Sequence, residues 1–291
     1  MKDKICVITG SGSGIGFETA LSLAKKGATI IGIARNMEKV SQAVKDIQEQ
    51  SGNENIDGFD IDLSSQKLIR KKASEISKKY PKIDVLVNNA GTWYSRLNYT
   101  EDNIEMQFAV NHLAYFLLTH ELLPALVKSE DPRIINVGSD SHYHGKMHFN
   151  DINLTKKYHG LRAYAQSKLA NVLFTYEFDR RKPLEKLCIN CLQPGLVKTN
   201  IGLKHTISFH SLAWKIRRLS GVTPAEGAET SVYLASSAEA RGISGKYWDK
   251  MKIKKSSKQS MNKEDAARLW LLSERLCDID DYFEIIADEV E

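Results

Sequence analysis

The 291-residue sequence lacks the features that mark secreted, membrane-spanning or disulfide-stabilised proteins. Its four cysteines are too few, in a chain of this length, to form a disulfide framework. No apolar run is long enough to cross a bilayer, and no basic stretch followed by an apolar one resembles a signal peptide. No segment rich in Pro, Ser and Gly divides the chain. We therefore expect a soluble, cytoplasmic protein with reduced thiols and no transmembrane segment.

A strong charge imbalance is also missing. Lysine and arginine number 41 against 36 aspartates and glutamates, which gives a net charge of +5. Because no basic patch is interleaved with aromatic residues, this excess does not favour binding of nucleic acid. A short basic run near the C-terminus is typical of a solvated surface, with weak peripheral contact to anionic lipid as the alternative. The run contains Lys252, Lys254, Lys255 and Lys258.

Residues that commonly bind metals do not occur at the spacing of a ligand set. Cys188 and Cys191 lie in an apolar segment typical of a strand, where residues three apart point to opposite faces. His142, His144 and His148 have no carboxylate or cysteine at a suitable distance in sequence. We therefore predict buried thiols, structural or solvent-facing histidines, and no metal site.

Short apolar segments alternate with helical ones along most of the chain. The predicted strands cover residues 5–8, 29–34, 56–61, 83–87, 133–137, 187–192 and 245–248. The predicted helices cover residues 17–26, 36–50, 65–80, 101–127, 163–181, 224–236 and 263–276, with a polar loop at 140–162. This alternation predicts an α/β fold, a single-domain doubly wound Rossmann sandwich with a mainly parallel sheet of about seven strands and helices on both faces.

A glycine-rich turn separates the first predicted strand from the first helix. It consists of Gly10, Ser11, Gly12, Ser13, Gly14, Ile15 and Gly16. Where side chains are missing, backbone N–H groups and the helix N-terminus can approach a pyrophosphate. The strict GxGxxG spacing is not met because Ile15 occupies the third glycine position. Tight packing alone remains the alternative interpretation.

The end of the second predicted strand indicates which dinucleotide is bound. An acidic residue here reads the ribose 2′-hydroxyl of NAD(H), whereas this chain has Arg35, which can pair with a 2′-phosphate. NADP(H) is therefore the predicted cofactor. Glu38 is a nearby acid, but its place in the first turn of the next helix is equally explained by the helix dipole. A solvated surface charge is the alternative role for Arg35.

Tyr164 and Lys168 are four residues apart in a predicted helix, so their side chains lie one turn apart on one face. A nearby ammonium favours a phenolate, so Lys168 is expected to lower the pKa of Tyr164 toward neutral pH. A tyrosine of this kind can donate a proton to a carbonyl oxygen. An amphipathic helix with a surface Tyr and Lys is the alternative.

Taken together, the motifs resemble those of the short-chain dehydrogenase/reductase family from about residue 4 to 250. Thr9-Gly10-x-x-x-Gly14-Ile15-Gly16 matches the family's cofactor motif, Asp62-Leu63 its adenine-contacting pair and Asn88-Asn89-Ala90-Gly91 its sheet-stabilising motif. Pro194-Gly195, with Val197 and Thr199 after it, matches the segment that meets the nicotinamide. Four residues match the family's catalytic tetrad in order, namely Asn111, Ser139, Tyr164 and Lys168. The resemblance implies hydride transfer between a nicotinamide and a carbonyl or carbinol carbon.

The resemblance also implies a role for each member of the tetrad. Tyr164 gives the proton to the developing alkoxide, and Ser139 bonds the substrate oxygen. Lys168 holds down the pKa of Tyr164 and can bond the nicotinamide ribose. Asn111 positions a water that links Lys168 to solvent. A catalytically silent NADP(H)-binding interaction module is the competing hypothesis, although an intact tetrad argues against it.

A closer resemblance is to the retinol dehydrogenase-like branch of that family. It rests on Asn111-His112-Leu113, Ser167-Lys168-Leu169-Ala170-Asn171, Thr223-Pro224-x-Glu226-Gly227-Ala228 and Leu269-Trp270-x-x-Ser273-Glu274. Two departures are Gly138, where the branch usually has Ser, and the absence of its N-terminal membrane anchor. We expect the first departure to be neutral.

The segments outside these motifs bear on substrate and assembly. Residues 200–222 contain enough apolar and aromatic side chains to form a lid over a hydrophobic substrate, with core packing as the alternative. We therefore favour a retinoid, long-chain aldehyde, steroid or xenobiotic carbonyl, as for a carbonyl reductase. Residues 252–291 form a C-terminal extension, whose acidic tail from Asp278 docks in cis or on a partner subunit of a homodimer.

Overall fold

A computed structural model describes residues 1–197 and 221–289 of the chain. Its strands form one sheet with the spatial order β3-β2-β1-β4-β5-β6-β7-β8. The strands are β1 Ile5–Thr9, β2 Thr29–Ala34, β3 Ile56–Asp60, β4 Val85–Asn88, β5 Arg133–Val137, β6 Cys188–Gln193, β7 Lys246–Asp249 and β8 Lys252–Ile253. All neighbours pair in parallel except β7 and β8, which are antiparallel. The predicted doubly wound α/β fold is confirmed.

Helices cover both faces of this sheet. They are α1 Gly14–Lys25, α2 Met37–Ser51, α3 Gln66–Lys79, α4 Ala114–Leu126, α5 Gly160–Arg181, α6 Pro224–Ser236 and α7 Lys263–Leu276. Side chains of α3, α4, α5 and α7 pack in one apolar core, and those of α1, α2 and α6 in the core on the opposite face. Because both faces are covered, β5 is buried at every residue and shows no polar alternation.

The long helix predicted for residues 101–127 begins later and is interrupted. A short α-helical turn, Met106–Phe108, leads into a π-helical turn, Ala109–Leu113, before α4 begins. The buried Glu105 side chain accepts hydrogen bonds from the N–H groups of Gln107 and Phe108, which caps the first turn. Helix starts are usually recognised in sequence by Ser, Thr, Asp or Asn at the N-cap. Because the cap here is a Glu, the sequence did not indicate that a helix begins at this position.

Besides the 3₁₀ helices Gln259–Met261 and Glu284–Glu289, two further elements were not predicted. The polar 140–162 loop contains a 3₁₀ helix, Asp140–His144, directly after the predicted catalytic serine. The second is β8, which adds an eighth strand of two residues to the sheet. Such short elements show no periodicity in sequence and depend on the neighbours they pair with.

The C-terminal extension packs on its own chain in the described residues. Tyr282 is fully buried among the helices, and its hydroxyl donates to the carbonyl of Phe116 on α4 at 2.7 Å. Ile286 is also buried in the same core. The tail therefore docks in cis. The predicted lid at 200–222 falls outside the described residues except for 221 and 222. Among the described helices, none has the length and apolar character needed to span a bilayer.

Candidate active site

The predicted site residues lie where neighbouring parallel strands end. The glycine-rich turn follows β1, Asn88 closes β4, Ser139 follows β5, and Pro194 follows β6. These four strands are adjacent in the sheet, and the strand order reverses between β1 and β4. In doubly wound sheets the crevice at such a reversal is the usual ligand site. The topology thus brings distant parts of the sequence to one edge.

The glycine-rich turn is built on close backbone contacts. Gly10 has a φ of +72°, which disfavours any residue with a Cβ. A Cβ at Gly16 would lie 2.3 Å from the carbonyl oxygen of Gly10 and 2.5 Å from Nδ2 of Asn89. The close packing of helix on turn that the strict motif assigns to its third glycine is therefore made by Gly16, one residue after Ile15.

Helix α1 has an N-terminus that fits an anionic group. Its N-cap residue Ser13 makes no side-chain capping bond, and the first turn contains no acidic residue. By contrast, Asn36 caps α2 and Ser65 caps α3. The partial positive charge at the start of α1 is therefore left uncompensated by these side chains. Next to a turn without side chains, this arrangement suits the pyrophosphate of a dinucleotide.

Arg35 directly follows β2, is exposed, and makes no ion pair with another residue in the described ranges. A Cβ at Gly12 would lie 3.3 Å from the Cβ of Ala34 and 3.7 Å from that of Lys39. Lys39, in the first turn of α2, therefore lies beside the glycine-rich turn. The sequence analysis missed this second cation, which lies four residues after Arg35.

Hydrogen bonds from Thr9 join the turn to the end of β4. Its hydroxyl accepts from the N–H groups of Asn89 and Ala90 at 2.8 and 2.9 Å. The Asn89 side-chain amide donates a hydrogen bond to the carbonyl of Thr9 at 2.8 Å. The segments that carry the two motifs are thereby fixed relative to each other.

Two predicted cofactor residues, Asn88 and Leu63, have buried side chains, and a third, Asp62, is half-buried. Asn88 is fully buried and donates to Thr119 and Asn136, both at 3.0 Å. Leu63 is in the apolar core, while Asp62 accepts two hydrogen bonds from Ser64. Backbone groups of Asn88 and Leu63, rather than their side chains, are thus the parts left to contact a ligand.

After β6, the chain turns at Pro194 and at Gly195, which has a φ of +81°. Val197 then bridges to Val222 and packs against Gly227, where an added Cβ would lie 2.7 Å from it. The same Cβ would be 3.4 Å from Ile15 of the glycine-rich turn. The 194–197 segment therefore approaches the predicted phosphate site. Thr199 lies outside the described residues.

Tyr164, Ser139 and Lys168 come together as predicted. The ring of Tyr164 packs edge-on against Trp93, with centroids 5.9 Å apart. The ammonium of Lys168 lies 5.8 Å from the ring of Tyr164 and 5.7 Å from that of Tyr115. Sequence analysis missed Tyr115, which is one helical turn beyond Asn111. Its hydroxyl donates to the carbonyl of Ala90 at 2.7 Å.

The expected effect of Lys168 on Tyr164 is not observed. Burial raises the pKa of Tyr164, and a hydrogen bond with Ser139 opposes this shift. Lys168 donates instead to the carbonyl of Val137 at 2.8 Å, and burial lowers its pKa to about 8. The prediction that Lys168 lowers the pKa of Tyr164 was wrong, because burial raises that pKa. The spacing in sequence predicted that Tyr164 and Lys168 lie on the same helix face. It did not predict the free-energy cost of removing the phenol and the ammonium from water.

Asn111 lies in the π-helical turn and is fully buried. Its amide exchanges two hydrogen bonds with the backbone of Thr92, at 2.7 and 3.1 Å, and donates to Ser167 at 3.1 Å. Ser167 in turn donates to the carbonyl of Tyr164 at 2.8 Å. Asn111 therefore connects the loop after β4 to α5, the helix that carries Tyr164 and Lys168.

Gly138 has no space for the serine that is usual in the resembled branch. A Cβ here would lie 2.7 Å from Sγ of Cys191 and 2.9 Å from the carbonyl oxygen of Leu192. A serine at this position would therefore clash with the neighbouring strand β6. The expectation that Gly138 is a neutral exchange was wrong. Cys191, like the other three cysteines, is buried and free.

The histidines that follow Ser139 do not assemble a metal site within the described ranges, where no cluster of three potential ligands occurs. His142 is fully buried, and its Nδ1 lies 2.7 Å from the carbonyl oxygen of Ser139. His144 is exposed on the same 3₁₀ helix. The sequence gave no signal that distinguished these two histidines.

Comparisons with known proteins agree with this geometry. The sequence pattern of the family described as "short chain dehydrogenase" matches residues 4–206. Human retinol dehydrogenase 13 is 41% identical over 280 residues, which span 94% of this chain and 84% of that protein. Mouse retinol dehydrogenase 14 is 37% identical over 290 residues, spanning 94% and 86%.

Solved structures show the same fold. A crystal structure of an uncharacterised protein from Mycobacterium paratuberculosis superimposes with a TM-score of 0.76 at 29% identity, covering 96% of this chain and 94% of the other. A short-chain dehydrogenase from Shigella flexneri, solved with NADP, gives a TM-score of 0.68 at 26% identity over 87% and 98%. This chain therefore belongs to the short-chain dehydrogenase/reductase family, whose members are oxidoreductases that act on alcohols and carbonyl compounds with a nicotinamide cofactor.

Proposed function

We propose that this protein is an NADP(H)-dependent oxidoreductase that interconverts a hydrophobic aldehyde or ketone and its alcohol. The observation that carries the proposal is the convergence of Ser139, Tyr164 and Lys168 at the sheet edge where the uncapped α1 begins. A bound nicotinamide would supply or accept the hydride. The apolar segment 200–222, most of which lies outside the described residues, is the proposed substrate lid of a single domain.

The chain's own residues handle the oxygen and its proton. Tyr164 stays protonated at neutral pH because burial raises its pKa, so it can give a proton to an oxygen that becomes an alkoxide. Ser139, which interacts with the Tyr164 hydroxyl, donates a second hydrogen bond to that oxygen. Lys168 keeps a positive charge near both groups below about pH 8. A protonated Tyr164 is the form that the reduction step requires, and use of NADPH in a reducing compartment favours reduction as the net flux.

Arg35 and Lys39 support the choice of NADP(H). Lys39 lies beside the glycine-rich turn, and Arg35 directly follows Ala34, at the position where an acidic residue would be expected for NAD(H). The Shigella flexneri relative was solved with NADP. Gly10 to Gly16, with Asp62, Leu63, Asn88, Ala90, Pro194, Gly195, Val197 and Thr199, complete the proposed cofactor site.

The substrate class rests on two supports. The curated relatives are named retinol dehydrogenases, which act on a long apolar polyene alcohol. The sequence at 200–222 is rich in apolar and aromatic residues. A retinoid or a long-chain aldehyde is therefore preferred over a small polar carbonyl, with steroid and xenobiotic carbonyls in the same class.

The test is NADPH consumption against a panel of carbonyls, with NADH as the cofactor comparison. We expect turnover with retinal or medium-chain aldehydes and little with small polar carbonyls. In Tyr164→Phe, kcat should fall by about 10²- to 10⁴-fold, the range for a lost general acid, while NADPH still binds.

The matched control is Tyr233→Phe, which removes a hydroxyl that donates to Glu239 on the surface of α6. It should leave kcat unchanged. Substantial turnover by Tyr164→Phe would refute its role as proton donor. Tight NADPH binding without turnover of any carbonyl would favour the silent interaction module instead.

A further inference from the structure

The segment 254–260 of the C-terminal extension lies against the 3₁₀ helix that follows Ser139. Lys254 pairs with Asp140 at 3.2 Å, and the hydroxyl of Tyr143 donates to the carbonyl of Lys255. Between these contacts, the backbone N–H of Ser257 donates to Nε2 of His142 at 3.1 Å. The 254–260 segment thus holds three residues of one short helix.

The two hydrogen bonds of the His142 ring determine its protonation. The N–H of Ser257 can only donate, so Nε2 must be an acceptor without a proton. The carbonyl of Ser139 can only accept, so Nδ1, at 2.7 Å, must carry the proton. Burial lowers the pKa of His142, which keeps the ring neutral. The ring is therefore a bridge with a single tautomer.

The other end of the 254–260 segment is attached to helix α5, which carries Tyr164 and Lys168. The hydroxyl of Tyr176 on α5 lies 2.7 Å from that of Ser256, which also accepts from Ser260 at 2.8 Å. Ser256 and Ser260 are both buried. One segment therefore contacts both elements that supply the proposed catalytic groups.

The Ser139 side chain is constrained at the same place. Its hydroxyl oxygen accepts from the N–H of Ser141 at 3.1 Å, while its carbonyl accepts from both the backbone and the ring of His142. A rotation of the Ser139 peptide would break these bonds together. The orientation of its hydroxyl is thus linked to the ring of His142.

We propose that His142 is a positioning residue that links Ser139 to the C-terminal segment 254–260, and that this link holds Ser139 in the geometry needed for reaction. The inference rests on the function proposed above, because it presumes that Ser139 bonds the reacting oxygen. Reactions are sensitive to such placement, since an error of about 1 Å can reduce the rate by about 100-fold.

The test uses two variants in the full-length protein. His142→Leu removes both ring bonds, and kcat for carbonyl reduction should fall by about 100-fold with the Kd of NADPH within about twofold of the parent. His142→Asn keeps an N–H near Ser139 but cannot also reach Ser257, and kcat should be intermediate. His144→Asn makes the same change at an exposed position of the same helix, and kcat should be unchanged.

A second measurement does not depend on turnover. Nitrogen-15 NMR of histidine-labelled protein, with His142 assigned by its loss in His142→Asn, should show a neutral ring protonated at Nδ1. An Nε2-protonated or cationic ring near neutral pH would overturn the proposal, as would a kcat within about threefold of the parent in His142→Leu, or a loss matched by weaker NADPH binding. If the parent protein turns over no carbonyl, the proposed function fails, while the NMR result still decides whether the bridge exists.

Discussion

The cofactor side and the catalytic side of the proposed site are built in opposite ways. Around the glycine-rich turn, the close backbone contacts depend on glycines that have no side chain, as at Gly16, where a Cβ would lie 2.3 Å from the carbonyl oxygen of Gly10. Around Tyr164, geometry depends on side-chain atoms that are present, such as the amide of Asn111 and the ring of His142. The first side should therefore fail when atoms are added and the second when atoms are removed.

Gly138 is an informative exception. It lies on the catalytic side, directly before Ser139, yet a Cβ there would be 2.7 Å from Cys191. The strand that presents Ser139 is therefore packed as closely as the turn that precedes α1. Arg35 is the reverse exception, because it is a side chain on the cofactor side that is expected to decide specificity.

The largest expected effect is that of Gly16→Ala. The added methyl group meets the carbonyl of Gly10 and the amide of Asn89, neither of which can move without breaking the link between β1 and β4. We expect a loss of about 3 kcal/mol or more in the free energy of unfolding, the upper range for overpacking, together with loss of NADPH binding. Denaturant unfolding and fluorescence titration measure the two effects.

Gly52→Ala is the control for Gly16→Ala. Gly52 has a φ of +67° but no heavy atom within 4 Å of an added Cβ, so only backbone strain of about 1–2 kcal/mol applies. NADPH binding should be retained. Equal losses of stability in the two variants would show that contact at Gly16 is not the determining factor.

A smaller effect is expected from the charge of Lys168. Its pKa of about 8 means that the ammonium is present below pH 8 and is lost as the pH rises through that value. We expect kcat/KM for NADPH, which reports ionisations of the free enzyme, to be level below about pH 8 and to fall above it. Lys168→Met should lower kcat/KM and remove the inflection.

The control for that profile is Lys45→Met, which removes an exposed charge that pairs with Glu49 on the outer surface of α2. Its profile should match that of the parent protein. An unchanged inflection in Lys168→Met would assign the ionisation to another group.

The smallest expected effect is a change of cofactor preference in Arg35→Asp. Replacing a cation that pairs with the 2′-phosphate by an anion should shift the ratio of kcat/KM for NADPH and NADH by roughly 10- to 100-fold toward NADH, the value of one charged hydrogen bond. Lys45→Asp reverses the same charge ten residues further along and should leave the ratio unchanged. An unaltered ratio in Arg35→Asp would place the 2′-group elsewhere.

Much of the fold followed from local patterns. The alternation of buried strands with amphipathic helices predicted the doubly wound sheet, because strands covered on both faces are mostly apolar. The start of the 101–127 helix was misplaced because Glu105, an uncommon cap, begins it. The 3₁₀ helix after Ser139 and the strand β8 were missed because elements of this length have no period to detect.

By itself, the sequence determined the family, the alternation of strands and helices, and the candidate tetrad, because these depend on residue type and spacing. Only the tertiary structure decided that Lys168 bonds Val137 and that burial raises the pKa of Tyr164. It also placed the 254–260 segment beside His142. Desolvation and contacts between residues more than a hundred positions apart are properties of packing, and no local pattern in the sequence records them.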